Sequence, residues 1–263
     1  EVQHRERAFA SPALRGPMDE LAQATAGIGL AMAPPDPDGI FRHVFLVVQN
    51  DADSLLYPAL GLAGGQAALS LPDDDISIDF SREMRLGDAA TVSLDTRGRA
   101  MINFVGGKGA RGHLSYVDVL EGRLKQGAVL NKVVLIGIGA HGLYDVHPNP
   151  FSPDFLGAEF NADFIDNVLN DNFLISASPG TNLLLLVLIG LIVTYLSANL
   201  RSITAAGVSA VTIAVFIAVA TWAFASRGIV IGMVAPVTTG LLAYTLITLR
   251  RLTSEERSRA RLR

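Results

Sequence analysis

The 263-residue sequence contains no cysteine. Disulfide staples, thiolate metal sites and cysteine nucleophiles are therefore excluded. An exported domain that needs no oxidative staples fits this composition, as do some cytosolic proteins. Charge is also scarce, at 17% of residues, against about 25% in soluble domains. The scarcity is local. From Asn172 to Leu200, from Ser202 to Ser226 and from Gly228 to Leu249 there is no charged residue. What charge remains is lopsided: residues 1–182 carry a net −10 and residues 183–263 a net +6, within a total of −4. That asymmetry excludes one uniform soluble globule, and it excludes a nucleic-acid binder driven by overall basicity. No Asp, Glu, Lys or His lies inside the uncharged runs. Proton and ion pathways usually need such groups within the membrane, so a proton-coupled transporter or pump is disfavoured.

Each uncharged run holds an apolar core of at least about 18 residues, the length with which a helix crosses ~30 Å of hydrocarbon. Three membrane spans are expected, at about 182–200, 203–225 and 229–249, separated by Arg201 and Arg227. With three crossings, Arg201, Arg250, Arg251, Arg257, Arg259, Arg261 and Arg263 share one side, and the other short loop holds only Arg227. Seven arginines against one place the C-terminus in the cytoplasm by the positive-inside rule. Residues 1–180 then lie outside. Small residues recur in the second and third spans, at Ala206, Ala210, Ala214 and Ala218 and at Gly228, Gly232 and Gly240, with Pro236 in the same register. Such stripes let helices approach closely. They fit a tight bundle or dimer face, and equally the general Ala/Gly richness of membrane helices. The sequence begins at Glu1 without an apolar signal segment, so an export signal or anchor upstream is expected.

Before the first span, strand-like and helix-like runs alternate. HVFLVVQ (43–49) reads as a strand after the turn at 34–39, and 55–70 has helical spacing. ATVSL (90–94) and RAMINFV (99–105) flank a turn at Asp95–Gly98 and are expected to form a hairpin. Residues 115–122 read as a short helix capped by Ser115. KVVLIG (132–137) has the continuous apolar character of a buried parallel strand. Residues 157–173 place Phe160, Phe164, Ile165, Val168, Leu169 and Phe173 at helical spacing. The expected fold is a mixed-sheet α/β domain followed by an all-α three-helix membrane region.

Gly137 to Gly142 match G-x-G-x-x-G after a strand. A dinucleotide site needs a helix opening at these glycines. Pro148 and Pro150 follow too soon for a long one, so a strand-to-loop turn is preferred. His141, Asp145 and His147 are chemically suitable metal ligands, but three such residues within seven positions are common in loops. Asp36, Asp38 and Asp73–Asp75 do not follow EF-hand spacing and read as solvated turns. No metal site and no catalytic set is assigned to this chain.

The stretch from Lys132 to Phe173 resembles the C-terminal hallmark of the CHASE type-two extracellular sensor domain. The matching residues are Gly142, Leu143, Asp145, Pro150, Phe151, Gly157, Glu159, Ala162, Ile165, Asp166 and Asn167. Asp36, Asp38, Gly39 and Arg42 resemble the family's first turn and strand, LLYPALGLA (55–63) resembles its Tyr-Pro helix, and 94–106 resembles its middle strands. Asn149, Asn161, Asp163 and Ala59 depart from the family's frequent residues. Residues 1–26 do not supply the anchor, strand and helix with which the family opens.

The resemblance implies a sensor over residues 1–180, three membrane helices over 181–250 and a cytoplasmic linker over 251–263 leading to an effector outside this chain. The linker RRLTSEERSRARLR is helix-prone, with a capping box expected from Thr253 to Glu256. Its Glu-Glu-Arg character is similar to segments preceding class III adenylate or guanylate cyclase domains. The alternatives are the same sensor on a histidine kinase, or a membrane-anchored binding or assembly protein without an effector. A cyclase would act on nucleoside triphosphate such as ATP with Mg or Mn, held in the effector and not here, and would work as a homodimer. The expected location is a bacterial inner membrane, with the bilayer and an unidentified extracytoplasmic ligand as partners and no nucleic acid. Asp38, Arg42, Asp145, His147 and Glu159 are the candidate ligand contacts, because binding residues concentrate on loops and at element ends.

Overall fold

The computed structural model describes residues 2–12, 14–31, 34–139 and 145–261. The chain divides into two compact units, Glu1–Leu174 and Ile175–Arg263.

The first unit contains, in order, β1 (Val2–Gln3), β2 (Phe9–Ser11), α1 (Asp19–Ala24), β3 (His43–Phe45), β4 (Val47–Asn50), β5 (Leu56–Pro58), α2 (Leu60–Leu69), β6 (Ile76–Asp79), β7 (Glu83–Leu86), β8 (Ala90–Ser93), β9 (Arg99–Met101), α3 (Tyr116–Leu120) and α4 (Gly157–Asn170). Parallel and antiparallel pairings coexist. One sheet has the order β1-β6-β7-β8, with β1 parallel to β6 and the rest antiparallel. A second has the order β2-β4-β5, with β2 parallel to β4. β3 pairs antiparallel with β9. Alternation sets the inward face: Met84 and Leu86 of β7 are buried while Arg85 between them is exposed. Phe160, Phe164 and Val168, four residues apart on α4, complete a core with Phe80, Leu46, Leu62 and Phe155.

α2 and α4 meet through glycine. A Cβ on Gly61 would penetrate the Phe164 ring, one on Gly65 would penetrate Val168, and one on Gly64 would lie 2.8 Å from the Ile165 tip. The sequence G-L-A-G-G, unfavourable for a helix on propensity, thus permits the close contact.

Four expectations about this unit are corrected. Residues 90–94 and 99–105 do not form a hairpin: β8 pairs with β7, whereas β9 pairs with β3. The turn at Asp95–Gly98 redirects the chain between two sheets instead of closing a ladder. The helix expected from residue 55 starts at Leu60, because Leu56–Pro58 form β5 on the edge of β4. Ser115 occupies the N-cap of α3 but its side chain makes no capping hydrogen bond. Residues 132–137 are not a strand, and Val133, Val134 and Ile136 are exposed.

The second unit holds β10 (Ile175–Ser176), α5 (Pro179–Asn199), α6 (Ser202–Arg227), β11 (Ile229–Val230) and α7 (Val234–Arg261). Ser178 caps α5, its Oγ accepting from Thr181 N at 3.1 Å, with Pro179 at the first position, where its missing N–H is harmless. α6 ends on Gly228 at φ 63°, a left-handed cap that glycine adopts without strain. β10 and β11 pair in parallel. The helices close around Ile189, Val193 and Phe216.

α5 and α6 are long and apolar enough to span a membrane, with mean hydropathy 2.1 and 2.3. The third expected span is corrected. Its first residues are extended in β11, and α7 begins at Val234, so only 16 uncharged helical residues precede Arg250. At 1.5 Å per residue they cover about 24 Å, short of the ~30 Å of hydrocarbon. Apolar composition does not distinguish a helical run from an extended one. α7 nevertheless runs back to the α5–α6 turn. Arg251 donates to the carbonyls of Ser197 (3.0 Å), Ala198 (3.1 Å) and Leu200 (2.8 Å), neutralising the C-terminal end of α5. The capping box expected at Thr253 is also corrected. Thr253 lies inside α7, and its hydroxyl donates to Arg250 O.

The small residues separate. Ala205, Ser209, Phe216 and Ala220 form the inward face of α6, while Ala210, Ala214 and Ala218 are exposed and Ala206 is half-buried. Gly228 and Gly232 lie in the α6–α7 connection, outside any helix; Gly240 alone of the three glycines packs between helices, against Ile213 and Ile189.

Candidate functional site

The turn at 34–39 delivers Asp36 and Asp38 beside the start of β3. Asp38 accepts a two-pronged bond from Arg42 at 3.0 and 2.8 Å, on a partly exposed rim. That guanidinium holds the Asp38 carboxyl below its usual range, helped by the backbone N–H of Ile40. Asp36 was expected in a solvated turn but is 9% exposed. It accepts from His43 Nδ1 at 2.8 Å and from Arg99 Nη1 at 2.7 Å. Arg99 also grips Asp95 through Nε (3.0 Å) and Nη2 (2.8 Å). Burial alone would push the Asp36 carboxyl up, but the bonds from His43 and Arg99 outweigh it and hold the group below its ordinary value. β3 and β9, which share a ladder, bring His43 and Arg99 together. Sequence reading missed this network. Its only local signal was a basic residue type, His43 or Arg99, at the start of each strand of one pair.

A second cluster gathers where α4 begins. Gly157 N donates to Asp145 O at 2.8 Å, so the Asp145 segment closes the first turn of the helix. His147 Nδ1 lies 3.3 Å from an Asp145 oxygen. Its ring stacks on Phe160 at 5.2 Å and meets the edge of Phe41 at 4.5 Å. A Cβ on Gly157 would meet the movable carboxylate tip of Asp145 and lie 3.1 Å from the His147 ring, so an added methyl would require Asp145 to shift. Phe41 N donates to Pro148 O at 2.7 Å. The residue before Arg42 thus borders the His147 segment, and two expected contact groups become neighbours. Glu159 lies on a different side of α4. It is 3% exposed, accepts from Gly109 N at 2.9 Å and pairs with His113.

The Gly-rich basic loop at 106–113 was not singled out in the sequence. Besides His113, it sends Arg111 to Asp163 at 2.6 Å and Asp166 at 3.2 Å, and Lys108 to Asp154 at 2.7 Å. Glu159, Asp163 and Asp166, spaced to share one face of α4, receive this loop. Burial pushes the Asp163 carboxyl up against the opposing pull of Arg111.

Residues 3–196 match the family model of the CHASE2 domain. The chain belongs to the CHASE2 family. CHASE2 is an extracellular sensor domain. The match starts ahead of the motifs read from the sequence and runs into α5, so in this chain the CHASE2 region includes most of the first apolar helix. No curated protein and no solved structure matches. Of the expected contact residues, Asp38 and Arg42 engage each other and Asp145 engages His147, while Glu159 faces the 106–113 loop. His141, Gly142 and Leu143, which carried the metal, nucleotide-motif and family readings, lie outside the described residues. Among the described residues no group of three His, Asp or Glu is placed to hold a metal ion.

The His147 environment of this CHASE2 domain gives a pH expectation. Burial pulls the imidazole below its usual pKa, and nearby Asp145 only partly opposes this. A depressed folded pKa means that neutral His147 stabilises the domain fully above about pH 6.5, and that stability falls as pH drops through that value towards the folded pKa. Thermal melting of the purified chain should show Tm falling between about pH 7 and 5. His147→Phe, which keeps a ring against Phe160, should flatten that slope; an unchanged slope would show that another group controls it.

Proposed function

We propose that this chain is the sensing and membrane region of a bacterial receptor that controls a cytoplasmic nucleotide cyclase. Family membership supplies the sensing half. The observation that carries the transmitting half is the return of α7 to the Arg201 end of the α5–α6 pair, fastened there by Arg251. If that arginine-rich end faces the cytoplasm, as the positive-inside rule favours, α7 leads inward as one helix to Arg261. A signal acting on the CHASE2 domain then shifts the packing of α5, α6 and α7, and α7 carries the shift to the effector as a change in population.

β10 and β11 support this route. Ile175 N donates to Gly228 O at 2.9 Å and Ala177 N to Val230 O at 2.9 Å. Asn182 on α5 accepts from Gly232 N at 3.1 Å. The chain entering α5 is thereby tied to the chain entering α7, and movement of one is imposed on the other. The cyclase assignment rests on the Glu-Glu-Arg character of the tail, and the receptor is read as a homodimer because such cyclases build their active sites between two subunits. The test is the cyclic-nucleotide level of cells carrying the whole receptor with and without residues 2–174; loss of signal response is expected.

A further inference from the structure

The turn between α5 and α6 gathers positive charge that its own unit does not balance. From Asn172 to Ser254 there is no Asp or Glu, and three of the four arginines, Arg201, Arg250 and Arg251, meet at this end of the bundle. Asn199, Leu200, Arg201, Ser202 and Arg251 line an open cavity of about 460 Å3 there. Arg251 is fixed as one wall, because its guanidinium holds the carbonyls that end α5 and lies 3.5 Å from the Ser202 hydroxyl. The Arg201 side chain is exposed and has no hydrogen bond or ion pair among the described residues. One guanidinium is therefore preset, and the other is free to close on an anion.

We infer that this cavity binds the phosphate headgroup of an anionic phospholipid. Guanidinium forks match phosphate oxygens in geometry and charge, and basic pockets between membrane helices suit such headgroups. The depth agrees. α5 has 21 residues, and at ~1.5 Å each they cover the ~30 Å of hydrocarbon, so Asn199 to Ser202 lie at the level of the headgroups. The surroundings favour a lipid over a free phosphate. Ile203 beside Ser202, and Leu246 and Leu249 within about one turn of Arg250, are exposed at 84%, 65% and 53%, and they offer apolar surface to acyl chains where the charge ends. A lipid held here contacts α5, α6 and α7 together, so it stiffens the junction at which the helices would shift. The inference rests on the membrane-region reading and not on the identity of the effector.

The test uses the full chain purified in detergent and titrated with phosphatidylglycerol or phosphatidylcholine, with bound lipid counted by native mass spectrometry. Phosphatidylglycerol should be retained at least about tenfold more tightly than phosphatidylcholine. Arg201→Gln should weaken phosphatidylglycerol binding about fivefold and leave phosphatidylcholine unchanged. Its far-UV circular dichroism should match the parent, because that side chain is exposed. Arg227→Gln removes the same charge at the opposite end of α6 and should leave both affinities unchanged. Equal binding of the two lipids overturns the inference. So does an equal loss in the two variants, which would mark diffuse charge attraction. Displacement of the lipid by an equal concentration of glycerol 3-phosphate would make the occupant a soluble phosphate, and it too overturns the inference. A chain that does not enter lipid vesicles overturns the membrane reading together with this site, whereas the cyclase assignment can fail and leave the lipid preference intact.

Discussion

Arg99→Met is expected to destabilise the CHASE2 domain by about 3–5 kcal/mol, the usual effect of removing one partner from a buried ion pair. Arg99 is the hub: one guanidinium satisfies both Asp36 and Asp95 across the β3–β9 ladder, with 12% of its side chain exposed. Without it, Asp36 retains His43 and a distant Arg42 but loses its shortest bond. Its carboxyl should then rise towards or above the ordinary value, as burial acts unopposed by Arg99. Differential scanning calorimetry of the full chain should show the domain transition lowered by roughly 10 °C, at ~2–4 °C per kcal/mol for a domain of this size. Asp36→Asn combined with Arg99→Met should recover part of the loss, because less unpaired charge then stays buried. A shift below about 2 °C in the single variant would show that the network is held by solvent screening, not by burial.

Gly61→Ala is expected to have the second largest effect. Alanine normally favours a helix over glycine by about 0.5–1 kcal/mol. Here the added methyl meets the Phe164 ring, and Phe164 is fully buried in the core. Overpacking a rigid ring costs about 1–3 kcal/mol, occasionally more, so the clash outweighs the propensity gain. Net destabilisation of about 2–3 kcal/mol should appear as a lower denaturant midpoint with unchanged slope. Phe164→Leu should suppress part of the Gly61→Ala loss by making room, a coupling that a double-mutant cycle detects. Gly64→Ala should be milder, since it meets only the movable tip of Ile165.

Much of this architecture was legible because its signal is local. The 43–50 run shows strand composition, and α4 repeats large apolar residues at helical spacing. The small-scale pairing was not legible. β8 and β9 are adjacent in sequence, yet they choose partners seven and fifty-odd residues away, and composition does not encode that choice. The 132–137 run shows the limit in another form: its residues suit a buried strand, yet the segment is not a strand and Val133, Val134 and Ile136 are exposed. Glycines 61, 64 and 65 are unfavourable in a helix on propensity, and the opposing Phe164, Ile165 and Val168 explain them.

The candidate site was half legible. Asp38, Arg42, Asp145 and His147 were chosen as loop residues near motifs, and two neighbouring pairs emerged. Asp36 and Arg99 escaped because a buried charge is recognised only by its partner, sixty-three residues away. The α6 alanine stripe does not coincide with the face that packs inside the chain. Ala205 and Ser209 face inward and Ala210 does not, because uniformly apolar helices carry no pattern to fix their rotation.

The most direct test of the receptor account is cyclic-nucleotide output in cells carrying the complete receptor, compared with the same receptor lacking residues 2–174 and with its Arg99→Met form. The account predicts that both changes alter basal output several-fold, or abolish its response to extracytoplasmic conditions, while receptor abundance in the membrane is matched. Output and response identical in all three would contradict it.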